Sequence, residues 1–216
     1  MKANKELFLD NLKRINEKIA IAAEKSRRLS SDIVLVAVTK SVDLATLQEV
    51  ACTFQDAGIH HFGENKAQEL MTKQPYIEGF NWHFLGHLQR NKVLQVIDKV
   101  NLIHSLDSLR LAQEISRVAS LKSIVVNTLI EVNIACEPNK YGVNPDQVLD
   151  FFAQIEAMPN ISINGLMTMG PLGATEQQMR SYFDKMTRLH EDLKKAATPK
   201  HNIKYLSMGM SNDYAV

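Results

Sequence analysis

Apolar residues along this chain recur in two alternating rhythms. Over residues 4–28, Phe8, Leu12, Ile15, Ile19 and Ala22 fall four and three apart, a spacing that gathers them on one face of a helix. Such a stripe can seat a membrane or a partner, but its commoner use is to cover a core. Residues 33–39 then form a continuous, β-branched apolar run, the pattern of a strand covered on both faces. From there helix and strand patterns take turns. Asp43 stands where an N-cap would stand for a helix reaching about residue 57, and Gly58 ends it. A strand is expected over 59–63, a helix over 64–72, a strand over 82–85 and a helix over 88–98. Next come a strand over 102–105 and a helix over 107–121 with Asp107 as its cap. The longest β-rich run, 124–134, precedes a helix that Pro145 opens in its first turn and that reaches about residue 157. A strand over 161–167, a long helix over 175–196 and a strand over 203–208 complete the series.

Strands alternating with helices predict βαβ units and a parallel sheet. An open doubly wound sheet and a closed (β/α)8 barrel both satisfy that pattern. No GxGxxG follows the first strand and no GxxxxGK[ST] occurs, which removes the dinucleotide and P-loop versions of the open sheet. The short, uniform units favour an α/β chain with a (β/α)8 TIM-type barrel and an extra N-terminal helix, one domain over residues 1–216. Only seven strands are counted, so the last strand is expected to be missing.

Composition narrows the function classes. Hydrophobic residues make up 45% and charged residues 23% of 216, and the net charge is +1 with both signs interspersed. That balance offers no basic surface for nucleic acid or for an anionic membrane. No apolar run approaches the roughly 20 residues that cross a bilayer. Cys52 and Cys136 sit in no metal-like spacing and build no disulfide framework. With no signal-peptide core at the N-terminus, a cytoplasmic protein is expected. The absence of an obvious apolar surface stripe points to a monomer.

In a barrel of this kind the chemistry gathers at the C-terminal ends of the strands. Those ends read Thr39-Lys40, Phe62-Gly63-Glu64-Asn65, Trp82 to Gly86, His104-Ser105, Glu131-Val132-Asn133, Gly165 to Met169, and Ser207 to Asp213. Small and polar groups cluster there, while the strand bodies are aliphatic. Lys40 shares strand parity with Val34, Val36 and Val38, so it faces the barrel interior if they do. A lysine against apolar walls loses hydration, its pKa falls, and its neutral amine becomes a nucleophile towards carbonyls. The plainer alternative is a lysine that marks a strand end and reaches solvent.

The segment "SMGMSND", residues 207–213, sets Gly209 and Ser211 directly after a strand, with Asn212 and Asp213 in position to start a helix. Free N–H groups and a hydroxyl at such a turn suit an anion, although a short Gly/Ser turn is common. A lysine and a phosphate cradle at one rim specify a ligand carrying an aldehyde and a phosphate. Pyridoxal 5'-phosphate (PLP) fits, as does a sugar-phosphate substrate of a Schiff-base aldolase. The histidines do not suggest a metal. His60 and His61 point to opposite sides of a strand, and His83 and His87 straddle a strand–helix junction at Gly86, so they lack helical i, i+4 geometry.

The stretches "LVAVTKS", "HHFGENKAQE", "WHFLGHLQRNK", "VNIACEPNKYGV", "GLMTMG" and "LSMGMSNDY", six in order along the chain, resemble the pyridoxal phosphate homeostasis proteins (the YggS/PROSC-like family). These are similar to the barrel domain of alanine racemase without its second domain. The resemblance implies that Lys40 holds PLP as a Schiff base and that Asn65 lies beside the cofactor near its phenolic oxygen. It implies that Ser211, with backbone N–H groups around Gly209 and Met210, holds the phosphate. Met169 and Ser207 would line the pocket, and His83 receives no chemical role. The family continues past "MSNDY" with a helix and an eighth strand ending in an Arg-Ile-Gly-like segment. This chain ends at Val216, and an incomplete chain is the expected reading.

The resemblance implies a PLP carrier in vitamin B6 homeostasis that exchanges PLP with PLP-dependent apoenzymes, without strong turnover. The alternative is a PLP-dependent amino-acid racemase. Racemisation needs a base on each face of the substrate α-carbon, and of the available tyrosines neither Tyr141 nor Tyr205 is set opposite Lys40 by the sequence. A scaffold in which PLP is incidental is the third reading.

Overall fold

The computed structural model describes residues 2–216. Seven parallel strands form one sheet in chain order: β1 (Ala37–Val38), β2 (His61–Glu64), β3 (Asn81–Phe84), β4 (Leu102–Leu106), β5 (Val126–Glu131), β6 (Ile161–Met167) and β7 (Tyr205–Ser207). Helices α1 (Lys2–Lys25), α2 (Leu44–Asp56), α3 (Ala67–Lys73), α4 (Val93–Val96), α5 (Leu109–Lys122), α6 (Val148–Glu156) and α7 (Glu176–Ala196) precede or join them. β1 and β7 are the sheet's two edges.

The sheet is curled. His104 on β4 reaches Ser207 on β7 at 2.9 Å, although three strand spacings across a flat sheet would separate them by about 14 Å. This is the wall of an incomplete (β/α)8 barrel. The helices pack on its outer face over a continuous apolar core that includes Phe62, Trp82, Phe84, Ile103, Ile130 and Leu166. Phe62 lies at its centre, stacked on Phe80 with ring centroids 3.9 Å apart and edge-on to Phe54 and Trp82. The inner face holds a smaller cluster of Leu102, Leu129 and Met167, with Tyr205 against it.

Several expected details hold. Asp43 caps α2 by accepting from the Thr46 N–H at 2.9 Å. Leu12 of α1 is buried and Phe8 meets Phe54, so the apolar stripe covers the core beside β2. Others do not. The first strand shrinks from 33–39 to two residues, since an edge strand finds a ladder partner on one side only. Residues 88–98 make a 3-10 turn at Arg90–Lys92 and the single turn α4, because the chain must return to β4 by Leu102. The strand expected over 124–134 ends at Glu131. α5 is capped by Ser108, whose hydroxyl accepts from Leu111 N–H, while Asp107 is drawn to His87. Asn212 and Asp213 lie in a turn, not at the start of a helix.

Candidate functional site

All seven strands run parallel, so their C-terminal ends share one rim. Lys40 lies there, two residues beyond β1, and is exposed. Its parity is the inner one. A Cβ built on Gly63 would meet Val36 Cγ1 at 3.1 Å, so Val36 shares the inner face of β2, while Ala37 packs on the outer core. The wall around that position is open. Val34 and Val38 are 41% and 44% exposed, so the expected apolar enclosure of Lys40 is absent at this edge.

The turn that carries Lys40 is fastened from behind. Thr39 is buried, and its hydroxyl donates to Glu64 Oε1 at 2.6 Å. The buried Lys73 ammonium donates to the same Glu64 oxygen at 2.6 Å, to the Thr39 carbonyl at 2.8 Å and to Glu69 Oε2 at 3.3 Å. Glu69 Oε2 also accepts from the Ser41 N–H at 3.0 Å. That bond, with help from Lys73 and Lys66 and against some desolvation, holds the Glu69 carboxyl below its ordinary pKa. Ser41 itself has φ of +65°, a left-handed conformation uncommon for a residue with a Cβ.

Asn65 follows β2 and is half-buried. Its backbone sits against Gly86, where an added Cβ would come within 2.1 Å of the Asn65 carbonyl oxygen. The side chain at position 86 must therefore be absent for the Asn65 turn to keep its place beside the rim.

At the far edge, Ser207 ends β7 and Gly209 turns the chain with φ of +84°. Ser211 is exposed. The Met210 N–H, expected among the phosphate donors, is engaged by the Asp213 carboxylate. Among the described residues the N–H groups of Gly209 and Ser211 have no protein acceptor. These two N–H groups and the Ser211 hydroxyl fit an anion, and the exposed Lys40 amine fits an aldehyde. Met169 is exposed beyond β6.

The inner face also carries a feature the sequence reasoning missed. His61 Nδ1 lies 2.9 Å from His83 Nε2, and His83 Nδ1 lies 2.8 Å from His104 Nε2. With His104 Nδ1 bonded to Ser207 Oγ, three imidazoles form a chain from β2 to β7. Burial, reinforced by the neighbouring histidine, lowers His83 to about 4 and His104 to about 3. At neutral pH all three are uncharged, and only two arrangements satisfy the chain. Either each Nδ1–H donates towards Ser207, or the Ser207 hydroxyl and each Nε2–H donate towards His61. The available signal was one histidine of inward parity in each of three consecutive strands, which the register staggers by two residues per strand.

Elsewhere on the rim, burial and then Asp107 push Glu131 up to about 7. His87 bonds Asp107 Oδ2 at 2.8 Å and lies flat on Tyr141, ring centroids 3.7 Å apart. Tyr205 packs in the inner apolar cluster. No group of three or more potential metal ligands occurs among the described residues, and no described helix is long and apolar enough to cross a membrane.

Residues 11–215 match the family described as alanine racemase, N-terminal domain. The pyridoxal phosphate homeostasis protein of Aquifex aeolicus is 36% identical over 211 residues, covering 96% of this chain and 89% of the relative. Among solved structures, an unknown protein from Bifidobacterium adolescentis superposes with a TM-score of 0.88 at 29% identity, covering 100% of this chain and 90% of that one. PipY of Synechococcus elongatus with PLP bound superposes with a TM-score of 0.76 at 31% identity, covering 93% and 91%.

Proposed function

The chain belongs to the alanine racemase N-terminal domain family and, within it, to the pyridoxal phosphate homeostasis proteins, and from that premise we propose that it binds PLP through Lys40 and serves as a PLP carrier. The observation that carries this reading is the arrangement of the rim. One edge of the sheet presents an exposed amine on the inner parity. The other presents a Gly209–Ser211 turn with free donors. PipY, with PLP bound, is a relative of nearly the same length.

When bound, PLP supplies an aldehyde carbon that condenses with a primary amine, a C=N bond replacing C=O as one water leaves. Lys40 supplies that amine. The exposed position would leave the Lys40 amine open both to an incoming aldehyde and to water. Ser211 and the N–H groups of Gly209 and Ser211 hold the phosphate, Asn65 lies beside the ring, and Met169 and Ser207 line the pocket. Strong turnover is not part of this reading. Tyr205 is committed to the inner apolar cluster and Tyr141 to His87, so neither is engaged as a second base. Exchange of PLP with PLP-dependent apoenzymes, in the cytoplasm and by a monomer, completes the proposal.

The test is direct. Purified protein mixed with PLP develops a visible absorbance that borohydride fixes, and peptide mass spectrometry finds the pyridoxyl group on Lys40. Lys40→Ala stays colourless. A wild-type protein that takes up no PLP, or carries it on other lysines only, sinks the reading.

A further inference from the structure

We propose that Lys73, acting with Glu64 and Glu69, is the positioning residue for Lys40: a buried clamp that fixes the Thr39–Ser41 turn and so aims the reactive amine. The proposal rests on the reading of Lys40 as the PLP-bearing residue and assigns it a supporting apparatus.

Three observations carry it. First, the clamp is costly. Lys73 is 3% exposed and Glu64 is fully buried, and a buried ion pair loses about as much hydration energy as it regains by attraction. Stability alone does not account for it. Second, every polar contact Lys73 makes converges on the segment around Lys40. Its ammonium donates to the carbonyl of Thr39, to the carboxylate that accepts from the Thr39 hydroxyl, and to the carboxylate that accepts from the Ser41 N–H. The residues on both sides of Lys40 are thus bonded, while among the described residues the Lys40 side chain has no partner and is exposed. Third, Ser41 is held at φ of +65°, and a left-handed non-glycine residue persists only where its surroundings over-determine it. β1 contributes just two ladder residues at a sheet edge, so the strand itself cannot fix the turn. The clamp, anchored on β2 and α3, does so from the outer face.

The chemistry follows from geometry. A nucleophile displaced by about 1 Å can lose roughly a hundredfold in rate. Lys73→Met removes all three bonds and strands Glu64 without its cation. Lys73→Arg keeps the charge and part of the bonding. Glu69→Gln weakens only the outer arm and leaves the buried pair intact.

Two readouts separate positioning from folding. Amide exchange at Ser41 reports the turn without any ligand, and borohydride-trapped PLP on Lys40, followed in time by peptide mass spectrometry, reports the aim of the amine. In folded Lys73→Met, Ser41 exchange accelerates by about tenfold or more and Lys40 trapping slows by about 10- to 100-fold. Labelling of the other lysines stays constant, and Lys73→Arg restores much of the rate. If Lys73→Met does not fold, Glu69→Gln carries the test, with faster Ser41 exchange and slower trapping expected. Unchanged Ser41 exchange, or unchanged trapping at Lys40, in a folded variant overturns the clamp. If wild-type protein traps no PLP at Lys40, the proposed function fails instead, and Ser41 exchange alone decides whether the clamp fixes the turn.

Discussion

His83 Nδ1 and His104 Nε2 are 2.8 Å apart on the inner face of the sheet, both buried and both uncharged at neutral pH. Because each imidazole has a single N–H when neutral, all three links from His61 to Ser207 form together only while the chain keeps one direction. A proton added to either ring places a charge where burial disfavours it, beside a second histidine.

Acid should therefore unfold the protein earlier than its carboxylates alone would. His83 falls from 6.5 to about 4 on folding and His104 from 6.5 to about 3. The unfolded chain thus binds more protons between those values. Their contribution is intact above pH 6.5 and is lost as pH falls towards 3. For His83 alone this amounts to about 3 kcal/mol by the linkage relation. Urea unfolding measured from pH 7 to pH 4 should give a steep decline that is shallower in His104→Asn. Equal slopes would refute the assignment.

Glu131 works in the opposite direction. Its carboxyl rises from 4.5 to about 7 on folding, so its contribution is intact below pH 4.5 and is lost as pH rises through 7. Glu131→Gln, which stays neutral, should be more stable than wild type at pH 8 by up to about 3 kcal/mol. The gain should shrink at pH 5. Thermal melts at the two pH values provide the comparison.

Lys40→Ala should leave the fold nearly untouched. The side chain is exposed, and such substitutions usually shift stability by less than about 0.5 kcal/mol. Capture of PLP should be abolished while the melting curve stays in place. A large loss of stability would mean that Lys40 holds the rim together and would weaken its assignment as the cofactor-bearing amine.

Gly86→Ala should damage the site through the backbone. The new methyl group would press on the Asn65 carbonyl, and overpacking of this kind costs about 1–3 kcal/mol. Asn65 should move away from the rim, so PLP affinity should fall even at temperatures where the variant is fully folded. Equilibrium dialysis against PLP measures it.

Much of the architecture was legible because buried parallel strands are written as apolar runs. β6 occupies 161–167 as its pattern foretells, and α7 begins beside the Thr175 cap. Legibility failed where a distant partner decides the local outcome. Asp107 reads as a cap, but His87, 20 residues away, claims its carboxylate and Ser108 takes over. Glu69 and Lys73 stand i, i+4, a spacing common to surface pairs; only the fold buries Lys73 and adds Glu64. The Lys40 rim was visible as a strand end. Its open edge was not, since the length of β1 depends on what pairs with it. His61, His83 and His104 were each visible singly, but their alignment needs the register that sets Gly63 beside His83.

The bond between His104 and Ser207 spans the hollow of the sheet like a strut. Motion in the middle of the wall therefore has a mechanical shortcut to the segment that begins at Met208, bypassing the ladders of β5 and β6. Replacing His104 on β4 should loosen the Gly209–Ser211 corner of the rim, proposed above to hold the phosphate, although β4 contributes no residue to it.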